Sequence, residues 1–187
     1  LVGACNDMLK VLGREPVALE TARSWIGNGA RRLVERALTG DFDGEPPLNL
    51  MATAYPLFEK CYQKNLYRDS VMYAGALETL AQCHALDRRV GCVTNKPGGF
   101  TRPLLQAMGL SSYLDPVIGG NDLSRKKPDP LPLQYVAGQW GLTPDECLLV
   151  GDSVSDFHAA RACGMPVVLV SYGYSQGLDL YELGPDA

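Results

Sequence analysis

Apolar residues in the first third of the chain recur every three or four positions. Val2, Cys5, Met8, Leu9 and Leu12 share one helical face, and Gly13 ends the run. From Asn28 to Leu38, Leu33, Val34, Ala37 and Leu38 fall on one side and Arg31, Arg32, Glu35 and Arg36 on the other, with Gly40 the expected C-cap. Residues 41–48 are rich in turn formers. Met51–Leu66 is again predicted helical, with Tyr55, Phe58, Tyr62 and Leu66 on one stripe. After Tyr67 the pattern changes. Helices predicted over Gly75–Leu86, Phe100–Met108, Pro130–Trp140 and Ser155–Cys163 alternate with short apolar runs at Arg89–Thr94, Pro116–Ile118, Cys147–Val150 and Val167–Val170. These runs are apolar throughout, as parallel strands covered on both faces require. Repeated β–α units predict an α/β fold with an open, doubly wound, Rossmann-like parallel sheet, whose ligands sit at the carboxyl ends of the strands. The boundary between the two regions is expected near residues 67–74.

Composition narrows the partners. A net charge of −4 and a pI near 5.2 argue against a nucleic-acid or anionic-membrane surface, while leaving room for a small anionic substrate held by local positive charge. No apolar run is long enough to span a membrane. The six cysteines are scattered without a C-x-x-C pair, and several lie in apolar runs. They are expected as reduced, buried thiols of a cytoplasmic protein. The oligomeric state stays open.

Three polar clusters follow predicted strand ends. Thr94-Asn95-Lys96-Pro97 offers a hydroxyl, an amide and main-chain N–H groups ahead of a helix, which can hold a phosphate or simply form a turn. Arg125-Lys126-Lys127-Pro128-Asp129-Pro130 fixes an ammonium between a loop and a proline-started helix, or is a solvated basic loop. Gly151-Asp152-Ser153-Val154-Ser155-Asp156 brings two carboxylates, four residues apart, to a strand tip and a helix start. That suits a hard cation such as Mg2+, although turn and first-turn helix roles are equally open. No G-x-G-x-x-G follows a strand, so a dinucleotide-binding domain is not favoured.

Taken in order, Thr94, Lys127, then Asp152 with Asp156 resemble motifs II, III and IV of the haloacid dehalogenase superfamily, and the likeness covers residues 70–175. Trp25-Ile26-Gly27-Asn28-Gly29-Ala30-Arg31 and the helix after it resemble the cap of the phosphoglycolate phosphatases within that superfamily, as does Val93-Thr94-Asn95-Lys96-Pro97 with Arg102-Pro103-Leu104-Leu105. The resemblance implies a helical cap over residues 1–70 and an α/β core over 71–187. It further implies Mg2+-dependent hydrolysis of a small phosphorylated metabolite, 2-phosphoglycolate first, through an aspartyl-phosphate. Sugar phosphates, pyrophosphate or nucleotides are the alternatives, as is a non-catalytic phosphate-binding module. Thr94 would bind the phosphoryl group with Asn95 beside it, Lys127 would neutralise it, and Asp152 and Asp156 would hold the metal, Asp156 directly or through water. Asn28 and Arg31 would read the rest of the substrate.

The resemblance also implies an aspartate nucleophile in a D-x-D-G-T-type motif on a central strand ahead of the cap. Residues 1–12 already resemble the first cap helix, so that strand is expected upstream of Leu1, and the sequence is expected to be part of a longer or damaged protein. A polypeptide beginning at Leu1 is expected neither to fold stably nor to turn over phosphate esters. Asp41-Phe42-Asp43-Gly44 reads D-x-D-G but lacks an apolar strand in front, and a turn between two helices explains it better.

Overall fold

The computed structural model describes residues 1–26, 29–64, 66, 70–173, 175 and 178–187. They form two compact units, Leu1–Ser70 and Val71–Ala187.

The first unit is helical: α1 (Val2–Val11), α2 (Leu19–Ser24), α3 (Ala30–Thr39) and α4 (Leu48–Lys64). Three of these follow the apolar periodicity and supply the core. Met8 and Leu9 of α1, Leu33 and Val34 of α3, and Phe58 of α4 are almost wholly withdrawn from water. Burial of a side chain such as Phe58 contributes roughly 1.5–3 kcal/mol. Phe58 also stacks on Tyr62, ring centroids 5.7 Å apart. The helix α3 stops at Gly40, whose φ of 72° is the left-handed cap that glycine supplies without steric cost. Only α2 escapes the sequence pattern. At six residues it is too short to show a period, and Ala22 is its only buried residue.

The Asp41–Gly44 segment lies in bends between α3 and α4, with Asp43 N–H donating to Asp41 Oδ1 at 2.9 Å. Arg36 holds it there. Its buried guanidinium donates to Phe42 O at 2.8 Å and Trp25 O at 2.7 Å, and lies 3.6 Å from the Phe42 ring centroid. This tetrapeptide is a helix-joining turn.

The second unit alternates helix and strand: α5 (Ala76–Ala85), β1 (Cys92–Val93), α6 (Gly98–Ala107), β2 (Val117–Ile118), α7 (Leu131–Gln139), β3 (Leu149–Gly151), α8 (Val154–Cys163) and β4 (Val167–Leu169). Among the described residues the four strands fall on the predicted runs, β3 passing its run by one residue at Gly151, and all pair in parallel, giving the α/β class. Strand β1 pairs with β2 through Cys92–Val117 and Val93–Ile118, and β3 pairs with β4 through Leu149–Val167 to Gly151–Leu169. The single sheet expected from the sequence is therefore resolved into two parallel pairs. The carbonyl of Val93, at the tip of β1, is taken by a lysine ammonium. Leu133, Ala159, Ala160, Met165 and Val167 form the core around β3 and β4.

No disulfide joins the six cysteines; Cys5 is buried as expected, whereas Cys61, Cys83, Cys92, Cys147 and Cys163 are only partly buried. Burial pushes the Cys5 thiol up to about 12 despite the opposing pull of the chain's N-terminal charge. Among the described residues, no helix is long and apolar enough to cross a membrane.

Candidate active site

Strand β1 ends at Val93 and delivers Thr94 into a loop. Thr94 N–H donates to Ile118 O at 3.0 Å, which extends the parallel pairing by one residue and fixes the side chain. Its Oγ1 accepts from Lys96 N–H at 3.1 Å. A hydroxyl that accepts in this way keeps its own proton for a further acceptor, such as an anionic oxygen.

Lys127 comes from the loop before α7 and crosses to this strand end. Its Nζ donates to Val93 O at 2.6 Å and to Asp156 Oδ1 at 2.5 Å, with its side chain only 10% exposed. An ammonium has three protons, and these contacts use two. The loop is braced by Arg125, which pairs with Asp129 at 3.1 Å, and by Leu131 N–H, which donates to Asp129 Oδ1 at 2.9 Å. Asn95 donates its amide N–H to Lys127 O at 2.9 Å.

Strand β3 delivers Asp152 and the start of α8 delivers Asp156. Ser153 caps that helix, forming a reciprocal box with Asp156. The Asp156 carboxylate receives Lys127 Nζ on Oδ1. On Oδ2 it receives Asp152 N–H at 3.2 Å, Ser153 N–H at 3.1 Å and Ser153 Oγ–H at 2.6 Å. Burial alone would raise its pKa. The Lys127 charge and hydrogen bond, with those of Ser153 and Asp152, outweigh burial and hold it below the usual carboxylate range. Gly151 permits this approach, because a Cβ there would overlap the Asp156 carboxylate.

The structure thus links Asn95, Lys127, Asp156 and the main-chain N–H of Asp152 by hydrogen bonds at the carboxyl ends of β1 and β3, with Thr94 between Val93 and Asn95 in the chain. Arg31 belongs to the helical unit, where its exposed guanidinium donates to Glu35 at 3.2 Å. Asn28 lies outside the described residues.

Two features were not singled out from the sequence. Asn121 Oδ1 accepts from Gly98 N–H at 2.8 Å, so one main-chain donor at the start of α6 is already engaged. Lys96 is partly buried, and desolvation pulls its ammonium down from the usual lysine range. Its position two residues after Thr94 was a visible signal, but its burial was not.

The donors suit a hard divalent cation. Among the described residues no three His, Cys, Asp or Glu side chains converge as a metal cluster. Magnesium does not need three, since it takes one or two protein carboxylates and completes its shell with water and phosphate oxygens. Asp152, at the tip of β3, has the hard oxygen chemistry required. Asp156, with both oxygens committed to protein donors, suits a place behind it, through water.

Residues 1–170 match the model of the haloacid dehalogenase-like hydrolase family. The chain is 49% identical to a phosphoglycolate phosphatase of Nitrosospira multiformis over 187 residues, covering all of this chain and 82% of that protein. It is 43% identical to a phosphoglycolate phosphatase of Nitrosococcus oceani over 185 residues, covering 98% and 82%. A crystal structure described as a predicted phosphoglycolate phosphatase from Haemophilus somnus 129PT superposes with a TM-score of 0.91 at 32% identity, covering 99% of this chain and 84% of that one.

Proposed function

This chain belongs to the haloacid dehalogenase-like hydrolase family, and from that premise we propose that it is a Mg2+-dependent phosphoric monoester hydrolase whose substrate is 2-phosphoglycolate. The observation that carries the reading is Lys127, its ammonium fixed between Val93 O, at the end of the strand that leads to Thr94, and Asp156. Phosphoryl transfer asks a protein for positioning and for charge neutralisation more than for covalent help. Thr94 donates its remaining O–H to a non-bridging phosphoryl oxygen. Lys127 turns its third N–H to the same group and offsets its charge. Asp156 holds Lys127 in place and stays ionised as its counter-charge.

Asp152 would hold the Mg2+, with Asp156 in its outer shell, and the ion would supply Lewis-acid polarisation of the phosphoryl oxygens. By the family resemblance, an aspartate would take the phosphoryl group as the ester P–O bond breaks, and the glycolate alkoxide would leave on taking a proton. Water then releases inorganic phosphate. The residues described above receive and neutralise the group rather than attack it. We assign residues 1–70 the part of the helical cap and residues 71–187 that of the α/β core, with Asn28 and Arg31 reading the rest of the substrate. Six cysteines without a disulfide and a small anionic substrate fit a cytoplasmic enzyme.

The test is a panel of phosphate esters with the natural protein and Mg2+: 2-phosphoglycolate, sugar phosphates, pyrophosphate and nucleotides. The expected result is a kcat/KM for 2-phosphoglycolate at least tenfold above the others, lost on chelation and restored by Mg2+. Equal rates across the panel would remove the substrate assignment. Phosphate binding without turnover of any ester would replace the enzyme with a phosphate-binding module.

A further inference from the structure

We infer that the Asn95 side chain is a positioning group that acts through Lys127, and that it does not bind the phosphate itself. This deepens the functional reading above and rests on it. The orientation of the Asn95 amide is settled by its partner. Lys127 O can only accept, so the group 2.9 Å from it is the amide NH2. Oδ1 therefore faces the other way, where it is buried and has no hydrogen-bond partner among the described residues. A phosphate and a carboxylate are acceptors at neutral pH, so neither end of 2-phosphoglycolate satisfies Oδ1. A water or a main-chain N–H is the chemistry that would. The amide's second N–H is the one group of the Asn95 side chain able to serve an anion, and the experiment below isolates it.

What Asn95 does for Lys127 is visible in the geometry. Residues 93 and 95 stand two apart at the tip of β1, roughly 6–7 Å along an extended chain. Val93 O takes the lysine's ammonium and the Asn95 amide takes its carbonyl. One short segment thus grips Lys127 at both ends of its side chain, and Asp156 fixes the ammonium from the far side. The gripping segment is itself held: Gly120 presses on the main chain of Asn95, where a Cβ would overlap its carbonyl. Releasing the carbonyl end would let the loop move and swing the ammonium off the phosphate, although Asn95 never touches that phosphate.

A double-mutant cycle tests this with inorganic phosphate as the probe, its binding to the natural protein in Mg2+ followed by 31P NMR. The variants are Asn95→Ala, Asn95→Leu, Lys127→Met and both double variants. Asn95→Leu keeps the side-chain volume and serves if Asn95→Ala does not fold. With Lys127 present, loss of the amide is expected to weaken phosphate binding about tenfold, the scale of one hydrogen bond governing a charged group. In the Lys127→Met background it is expected to change binding less than twofold. Equal losses in both backgrounds, or no loss in either, overturn the inference. If Lys127→Met abolishes binding outright, a crystal structure of Asn95→Leu decides. Nζ displaced from Val93 O supports the inference, and Nζ unmoved with weakened phosphate binding overturns it. A wild-type protein that binds no phosphate removes the functional reading and the inference together, whereas additive losses remove only the inference.

Discussion

The two units are held together by different means. In the helical unit, α1, α3 and α4 close on the apolar Met8, Leu9, Leu33, Val34 and Phe58, and the buried Arg36 guanidinium is met by main-chain carbonyls. In the α/β unit, Leu133, Ala159, Ala160, Met165 and Val167 make an apolar core around β3 and β4. Between its two strand pairs runs a charge link, Val93 O to Lys127 to Asp156. Removing apolar surface from water is reason enough to keep the helical core. A buried ion pair adds little net stability, because desolvating both charges offsets their attraction. Keeping one at the strand ends points to chemistry rather than stability.

Breaking the charge link should have the largest effect. Lys127→Met leaves the Asp156 carboxylate buried without its cation, which is expected to cost the α/β unit about 3–5 kcal/mol. Urea titration of the natural protein would read it. Turnover should fall on the order of 10²–10³-fold, as when one transition-state donor is removed. The matching change in the other unit is Phe58→Ala, expected to cost about 3–5 kcal/mol by opening a cavity. Circular dichroism should show the helical unit melting earlier, with affinity for inorganic phosphate held within about twofold.

Alkali should probe the apolar core without a mutation. Burial pushes Tyr62 up to about 12, and Cys5 is raised to about 12 with burial the larger influence. Unfolded, they ionise near 10 and 9. Between those values and about 12 the folded state keeps protons that the unfolded state has released. Stability is therefore full below pH 9 and falls as pH rises, by about 1.4 kcal/mol per group for each pH unit in that window. Thermal melts of the helical unit from pH 8 to pH 12 would show the decline, and a flat profile would contradict it.

Two smaller changes act near the charge link. Gly151→Ala puts a Cβ against the Asp156 carboxylate. It is expected to cost about 1–3 kcal/mol by overpacking and to lower activity with little change in the helical unit. Ser153→Ala removes the cap of α8 and is expected to cost about 1 kcal/mol, readable as a shift in the urea midpoint.

Much of the fold could be read from one dimension because its causes are local. The helix α3 shows its apolar stripe and its Gly40 stop in ten consecutive residues, and both appear as expected. The four strands fall on the apolar runs, β3 reaching one residue further to Gly151, in the order that places Thr94, Lys127 and Asp152 after strand ends. The helix α2 was missed because six residues hold less than two turns of pattern. The engagement of the α6 start by Asn121 was missed because the partners are 23 positions apart.

The same distinction applies at the site. The residue types and their order at strand ends were fixed by the sequence itself, because periodicity and turn chemistry depend on near neighbours. Which oxygens each side chain meets was not. Lys127 finds Val93 O at a separation of 34 residues and Asp156 at 29, and Asn95 turns its amide to a carbonyl 32 residues away. Only the tertiary structure decides such pairings, because a hydrogen bond depends on distances of a few tenths of an ångström between groups that chain topology, not chain order, brings together.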